Sequence, residues 1–289
     1  MGSLLGIVIT FAMVFGGYLI AGGKMKIILG SLPYEMMMIG GAAVGAFIVS
    51  NDGPTIKHTL KDLGKADKGP TWKREDYQEL LCMLFELLRV VRSDPMALEQ
   101  HIEAPEESSI FSKYPKIQSD ARAREMICDT LRAATMNFDD PHQVEDVLEK
   151  QLEAGREHAG HSSHALQAMA DGLPALGIVA AVLGVIKTMG SIDQPPEVLG
   201  KMIGGALVGT FLGVFLAYGI VGPFATRIKA INETDEEFYS LIRDTLVANL
   251  QAHPPATCIE VARLNVPRSM RPKFAELEEA LKELKRAPA

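Results

Sequence analysis

The sequence predicts an all-α, polytopic membrane protein with four transmembrane helices and a helical cytoplasmic domain. Four apolar runs, at about 2–22, 34–49, 173–189 and 202–222, approach or exceed the length that crosses roughly 30 Å of hydrocarbon. The remainder is so polar that the mean hydropathy is only +0.11, with 22% charged residues, which is the average of two unlike parts. No alternating pattern marks a strand, and the polar parts carry the 3.6-residue period of helices that bury one face.

The elements follow in order. The first run, Gly2 to Gly22, is longer than a signal-peptide core and no basic residues precede it, so it is predicted to remain as an anchor. A short link from Gly23 to Pro33 leads to the second run, Tyr34 to Val49. In the long polar insert, Lys73 to Arg92 sets Leu81, Leu84, Phe85, Leu88 and Val91 on one stripe. Asp94 followed by Pro95 predicts an N-cap and first helical position, opening a helix through Ile102. Further helical patterns cover Ser119 to Thr135 and Pro141 to His158. After the fourth run the helix continues through Ile228, Ile231, Phe238, Ile242 and Leu246, breaks at Pro254 and Pro255, and a charged helix from Lys273 to Lys285 closes the chain. The organisation is therefore spans one and two (1–50), a cytoplasmic domain (51–172), spans three and four (173–226) and a cytoplasmic helical tail (227–289).

The two short links, Gly23 to Pro33 and Gly190 to Lys201, share one side of the membrane, and the long charged segments and both termini share the other. Lys57, Lys61, Lys65, Arg156, Arg227 and Lys229 flank the membrane on the long-segment side, against Lys24, Lys26 and Lys201 opposite. That bias makes the long segments cytoplasmic. Cys82, Cys128 and Cys258 all fall there and form no CxxC pair, which suits a reducing compartment and excludes a disulfide framework. The net charge of −7 reflects an acidic excess between Ser50 and Gly172 and argues against nucleic acid as partner.

Chemistry inside the spans is sparse. None carries Asp or Glu in its central stretch, so any carboxylate that titrates during ion movement is expected from a partner. Thr210, Tyr218, Pro174 and Pro223 are the polar or helix-perturbing residues within or at the ends of spans three and four, where such groups face protein or water. Each also has an ordinary structural reading, as a self-bonded threonine, an interfacial tyrosine or a helix-end proline. Gly205, Gly209, Gly213 and Ala217 recur every four residues, a groove that admits another helix backbone within one subunit or between subunits. His158, His161 and His164 are spaced by three, but a helix rotates the third about 120° from the first, so a solvated stretch is predicted and no metal site. No nucleophile and base pair, phosphate loop or metal-ligand spacing is present, so neither an enzyme nor a cofactor is predicted.

Four stretches carry a resemblance: DGLPALGIVAAVLGV at 171–185, LVGTFLGVFLAYG at 207–219, IEAPEESSIFSKYP at 102–115 and RPKFAELEE at 271–279. In order and with the four-span layout, they closely resemble the bacterial flagellar motor stator A-subunit family (MotA). The resemblance implies a torque-generating proton channel in the bacterial inner membrane, a homopentamer around a dimer of a B subunit. That subunit has a single span bearing an aspartate and a peptidoglycan-binding domain. The positions matching the family's channel are Pro174, Ala181, Thr210 and Tyr218, with Pro223 at its conformational proline. The alanine at Ala181, where sodium-driven relatives tend to carry threonine, implies protons. Arg92 and Glu99 match the charges that face the rotor switch protein FliG, with one residue fewer between them than the family has, and Arg89 is placed to share that task. In a helix's last turn and the next helix's first turn, such charges also suit the helix dipoles. The alternatives are an energising subunit like ExbB or TolQ, against which the two close N-terminal spans argue, and a non-conducting membrane scaffold.

Overall fold

The structure is a computed structural model describing residues 2–286, and among them every regular element is helical. In chain order they are α1 (Gly2–Ile20), α2 (Met25–Ser50), α3 (Gly53–Lys68), α4 (Arg74–Ser93), α5 (Pro95–Glu103), a short α6 (Pro115–Ser119), α7 (Ala121–Thr135), α8 (Pro141–Met189), α9 (Pro196–Leu250), α10 (Pro255–Asn265) and α11 (Phe274–Arg286). Local chemistry explains most boundaries. The Asp52, Asp94 and Asp120 carboxylates accept from the Thr55, Met96 and Ala123 amides at 3.0, 3.1 and 2.8 Å, capping α3, α5 and α7. Prolines open α5, α6, α8, α9 and α10, where the missing N–H costs nothing. At the end of α3, Gly69 takes φ +84°, a left-handed position suited to glycine, and donates to the Lys65 carbonyl at 2.8 Å.

Four helices are long and apolar enough to cross a membrane: α1, α2, α8 and α9. Three of them depart from the sequence reading, α9 by beginning at Pro196, inside the expected link. The second span begins at Met25, nine residues before Tyr34, and runs without interruption to Ser50, with a π-helical turn at Met36–Gly40. The charged Lys24 and Lys26 and the helix-breaking Pro33, which marked a loop in the sequence, lie beside or within this helix. Glu35 is consequently inside a span. This corrects the expectation that no span carries an acid in its central stretch. Likewise, α8 is one continuous helix of 49 residues with Pro174 inside it, instead of separate helices before and after His158.

The chain forms two compact units, 1–69 with 159–231, and 70–158 with 232–289. These cuts differ from the sequence-based segments: residues 51–69 and 159–172 belong with the spans, and the division falls inside α8 and α9. In the first unit α9 packs against three partners. Phe211 and Phe215 meet Phe15 and Phe11 of α1 edge-on at 5.9 and 5.0 Å. Ile27, Ser31 and Glu35 of α2 approach Gly204, Gly205 and Gly209, and Gly177, Ala180 and Gly184 of α8 line the third side.

The second unit has a continuous core of Leu80, Leu81, Leu84, Phe85, Leu88, Ile127, Leu152, Ile242 and Ile259, among others. Its centre is Trp72, stacked on Phe238 at 3.8 Å with 5° between the planes. The buried Asp235 carboxylate fixes that ring by accepting from Thr71 N and Oγ1 at 2.7 and 2.8 Å and from Trp72 N at 3.3 Å. Arg122 binds Glu236 through both guanidinium nitrogens, at 2.5 and 2.8 Å, and lies 4.2 Å over the Tyr239 ring. All three cysteines are free and buried here, and burial pushes the Cys82 and Cys128 thiols up to about 12 and about 11. They are therefore inert as thiolates near neutrality.

Candidate functional site

Spans α8 and α9 meet at backbone contact. A Cβ at Gly213 would lie 2.6 Å from the Leu173 carbonyl oxygen, and one at Gly177 would lie 2.8 Å from the Gly209 oxygen. Further along, a Cβ at Gly184 would meet Ala206 Cβ at 2.6 Å. Such approach is the packing that small residues permit in a membrane, where burying apolar surface between helices gains little. The glycine stripe therefore works within the subunit. Gly213 receives α8, Gly209 lies between α8 and α2, and Gly205 receives Ser31, whose Oγ would be 2.9 Å from a Cβ there.

One of the expected channel residues, Ala181, lies at this contact between α8 and α9. The Ala181 amide nitrogen would be 3.3 Å from a Cβ on Gly209, the chain neighbour of Thr210, and both side chains are half-buried. Pro174 lies two turns earlier on α8, one turn from Gly177, and is half-buried. Tyr218 and Pro223 form a separate group, with eight residues, or about 12 Å of helix, between Thr210 and Tyr218. Tyr218 is 73% exposed and sits in the π-helical turn Ala217–Val221. That turn has a local cause. Pro223 offers no amide, and the Gly222 N–H reaches back five residues to the Ala217 carbonyl, so the helix passes the proline with one widened turn. Tyr218, Pro223, Thr10 and Arg227 line a cavity of about 670 Å³ in the first unit.

The charges expected to face a rotor lie in the second unit on adjoining helices, and they do not pair with one another. Arg92 donates to the His253 carbonyl, Arg89 donates to the Leu284 carbonyl at 2.9 Å, and Glu99 is exposed on α5. Both arginines are thus braced by the C-terminal segment. His158, His161 and His164 all lie on α8, and among the described residues no group of three or more His, Cys, Asp or Glu is placed to hold a metal.

The residue that sequence reasoning missed is Glu35. It is 5% exposed, and its Oε2 has no hydrogen-bond partner among the described residues. Oε2 occupies the space a side chain at Gly209 would fill, 2.7 Å from the Cβ position. The signal was available in the spacing. Ser31, Glu35, Ile39 and Ala43 recur every four residues, and the last three are buried, a stripe that appears once the second span is extended back to Met25.

Four membrane-length helices, two of them packed through glycines, define a polytopic membrane protein. Residues 118–240 match the MotA/TolQ/ExbB proton channel family, and residues 4–95 match the motility protein A N-terminal family. The chain is 38% identical over 285 residues to motility protein A of Escherichia coli (strain K12), covering 98% of this chain and 95% of that relative. It is 37% identical over 286 residues to chemotaxis protein LafT of Vibrio parahaemolyticus, covering 98% and 99%. The chain belongs to the motility protein A family, the stator and proton-channel family of flagellar motility. Its fold is like that of the flagellar MotAB stator complex from Bacillus subtilis, with a TM-score of 0.72, 21% identity and coverage of 95% and 99%.

Proposed function

We propose that this chain is the A subunit of a proton-driven flagellar stator, five copies of which surround a dimer of a single-span B subunit in the bacterial inner membrane. Both termini and the second unit face the cytoplasm. Protons pass by way of the B-subunit aspartate along a path bordered by Pro174, Ala181, Thr210 and Tyr218, and Pro223 at the widened turn of α9 lets the ring move with each passage. Arg92 and Glu99, with Arg89 beside them, deliver the motion to the rotor protein FliG. The observation that carries the reading is the juxtaposition at Gly209. A backbone-tight α8 and α9 pair brings the Ala181 backbone against Gly209, the residue before Thr210, while Ile178, Val179, Val182 and Ile186 of α8 remain exposed and apolar, as a surface for a partner's span requires.

The test is purification from native membranes followed by flux measurement in liposomes. A smaller single-span protein with an acid in its helix should copurify, and the pair should leak protons once its plug is released, whereas this chain alone should stay proton-tight. Swimming should survive sodium removal and stop with a protonophore. Single neutralisation of Arg92 or Glu99 should weaken motility modestly, since exposed charges contribute about 0.2 to 1 kcal/mol each. Reversing both should weaken it far more, with flux unchanged. Loss of flux in that double reversal, or swimming speed that follows external sodium, would overturn the assignments.

A further inference from the structure

We infer that Glu35 is a proton-binding site belonging to this chain itself, reached by water from the side of the short links and loading protons into the membrane. The inference begins with depth. Glu35 is ten residues into α2, or about 15 Å from the helix start at 1.5 Å per residue. Gly209 and Ala180, which bracket it, lie a comparable distance from the ends of their own helices that adjoin the 190–195 link. In a hydrocarbon layer about 30 Å thick this is near the midplane.

A carboxylate at that depth needs an explanation. Intramembrane acids pair, face water or serve transport, and an unpartnered ion buried in apolar surroundings costs several kcal/mol. Glu35 Oε2 has no partner, so packing alone does not account for it. Two features do. Glycine at 209 and at 205 leaves room for the Glu35 carboxylate and the Ser31 hydroxyl, places that a side chain on α9 would fill. A cavity of about 530 Å³ then runs from Lys187 and Lys201, at the short-link end, past Ser31 and Tyr34 to Glu35. That is ample room for water. The π-helical turn begins at the next residue, Met36, a kind of turn often found at functional sites.

The lining selects the ligand. A metal cation stripped of water needs several oxygen ligands, and the side chains of this cavity supply only one carboxylate, one hydroxyl and a phenol, with two lysines near its link end. Of those lysines, Lys201 is held 3.0 Å from Glu197, and Lys187 stands at the rim. A proton needs one base and a chain of water. In the packed state the site holds the neutral acid. Ionisation releases the proton to a cavity water, forming hydronium and leaving a carboxylate that the next proton neutralises. The site stands on this chain alone, and only its use in feeding the channel rests on the stator reading.

The experiment takes the full-length protein, without any partner, in liposomes and treats it with dicyclohexylcarbodiimide, an apolar reagent that couples to protonated carboxyls in apolar sites. Peptide mass spectrometry then follows each acid. Glu35 should be modified at least tenfold faster than the exposed Glu197, and its rate should fall as the pH is raised. Gly209→Ala, which intrudes on the place of Oε2, should change that rate while Gly200→Ala does not. Glu35 reacting no faster than Glu197, or at a rate independent of pH, would overturn the site whether or not the chain is a stator subunit. In the complex with its partner, Glu35→Gln should lower unplugged proton flux severalfold with copurification intact, and Glu35→Asp should retain most of it. Unchanged flux in Glu35→Gln would remove the loading role.

Discussion

The two units of this protein are both helical, yet they are held together by opposite means. In the first, side chains are removed: Gly177, Gly184, Gly209 and Gly213 let backbones touch, and α1 has no buried residue at all. In the second, side chains are crowded: leucines and aromatics are fully buried, and buried carboxylates at Asp235 and Glu236 are each given partners. The difference follows from the surroundings. Water rewards the burial of large apolar groups, whereas lipid is as apolar as leucine and leaves close packing as the main attraction. Glu35 sharpens the contrast, because the water-facing unit partners its buried acids and the membrane unit leaves one oxygen bare.

The largest expected effect tests the crowded unit. Phe238→Ala removes the ring stacked on Trp72 and should cost about 3 to 5 kcal/mol. Denaturant titration read by the fluorescence of Trp72, the single tryptophan, should show it directly. A loss below about 1 kcal/mol would mean that the stack contributes little. Next comes the small-residue unit. Gly213→Ala places a methyl group 2.6 Å from the Leu173 carbonyl and should destabilise by about 1 to 3 kcal/mol. Gly200→Ala, with nothing within 4 Å of its Cβ, should instead gain a few tenths through helix propensity, on the order of 0.5 kcal/mol. Thermal unfolding by circular dichroism should separate the two substitutions in sign.

A smaller effect concerns acid. Burial lowers the His101 pKa from its usual 6.5, with Lys113 adding to the shift and Glu86 opposing it, and its Nδ1 lies 2.8 Å from Ser108 Oγ. Because the folded pKa lies below the unfolded one, the unfolded state takes up more protons. The contribution of His101 is therefore complete above about 6.5 and is lost as the pH falls through the folded value. His101→Gln should flatten the stability of the second unit between neutral and mildly acid pH, and an unchanged profile would refute this assignment. The smallest effect is at the surface. Arg74 and Glu276 pair at 2.6 Å with both side chains 44% exposed, and Arg74→Ala should cost no more than about 1 kcal/mol, diminishing in salt. A larger loss would give surface pairing a weight that the comparison denies it.

Without marking α3, α6 or α10, the sequence by itself determined the all-helical class, the bounds of α4, α5, α7 and α11 to within about two residues, the four apolar runs and the family. These rest on signals within a few residues of one another: the Asp94 and Pro95 cap, the Lys73 to Arg92 stripe and the uninterrupted motifs at 171–185 and 207–219. Tertiary structure decided the rest, because it joins residues that lie far apart in the chain. Nothing local told Gly213 that it would touch Leu173, or Asp235 that it would hold Trp72. The second span shows the limit most clearly. Lys24, Lys26 and Pro33 read as a loop, and Glu35 fell at the very edge of the apolar run that followed. Glu35 lies inside the helix because a glycine 174 positions later leaves its carboxylate a place to lie, and only the packing of α2 on α9 reveals that vacancy.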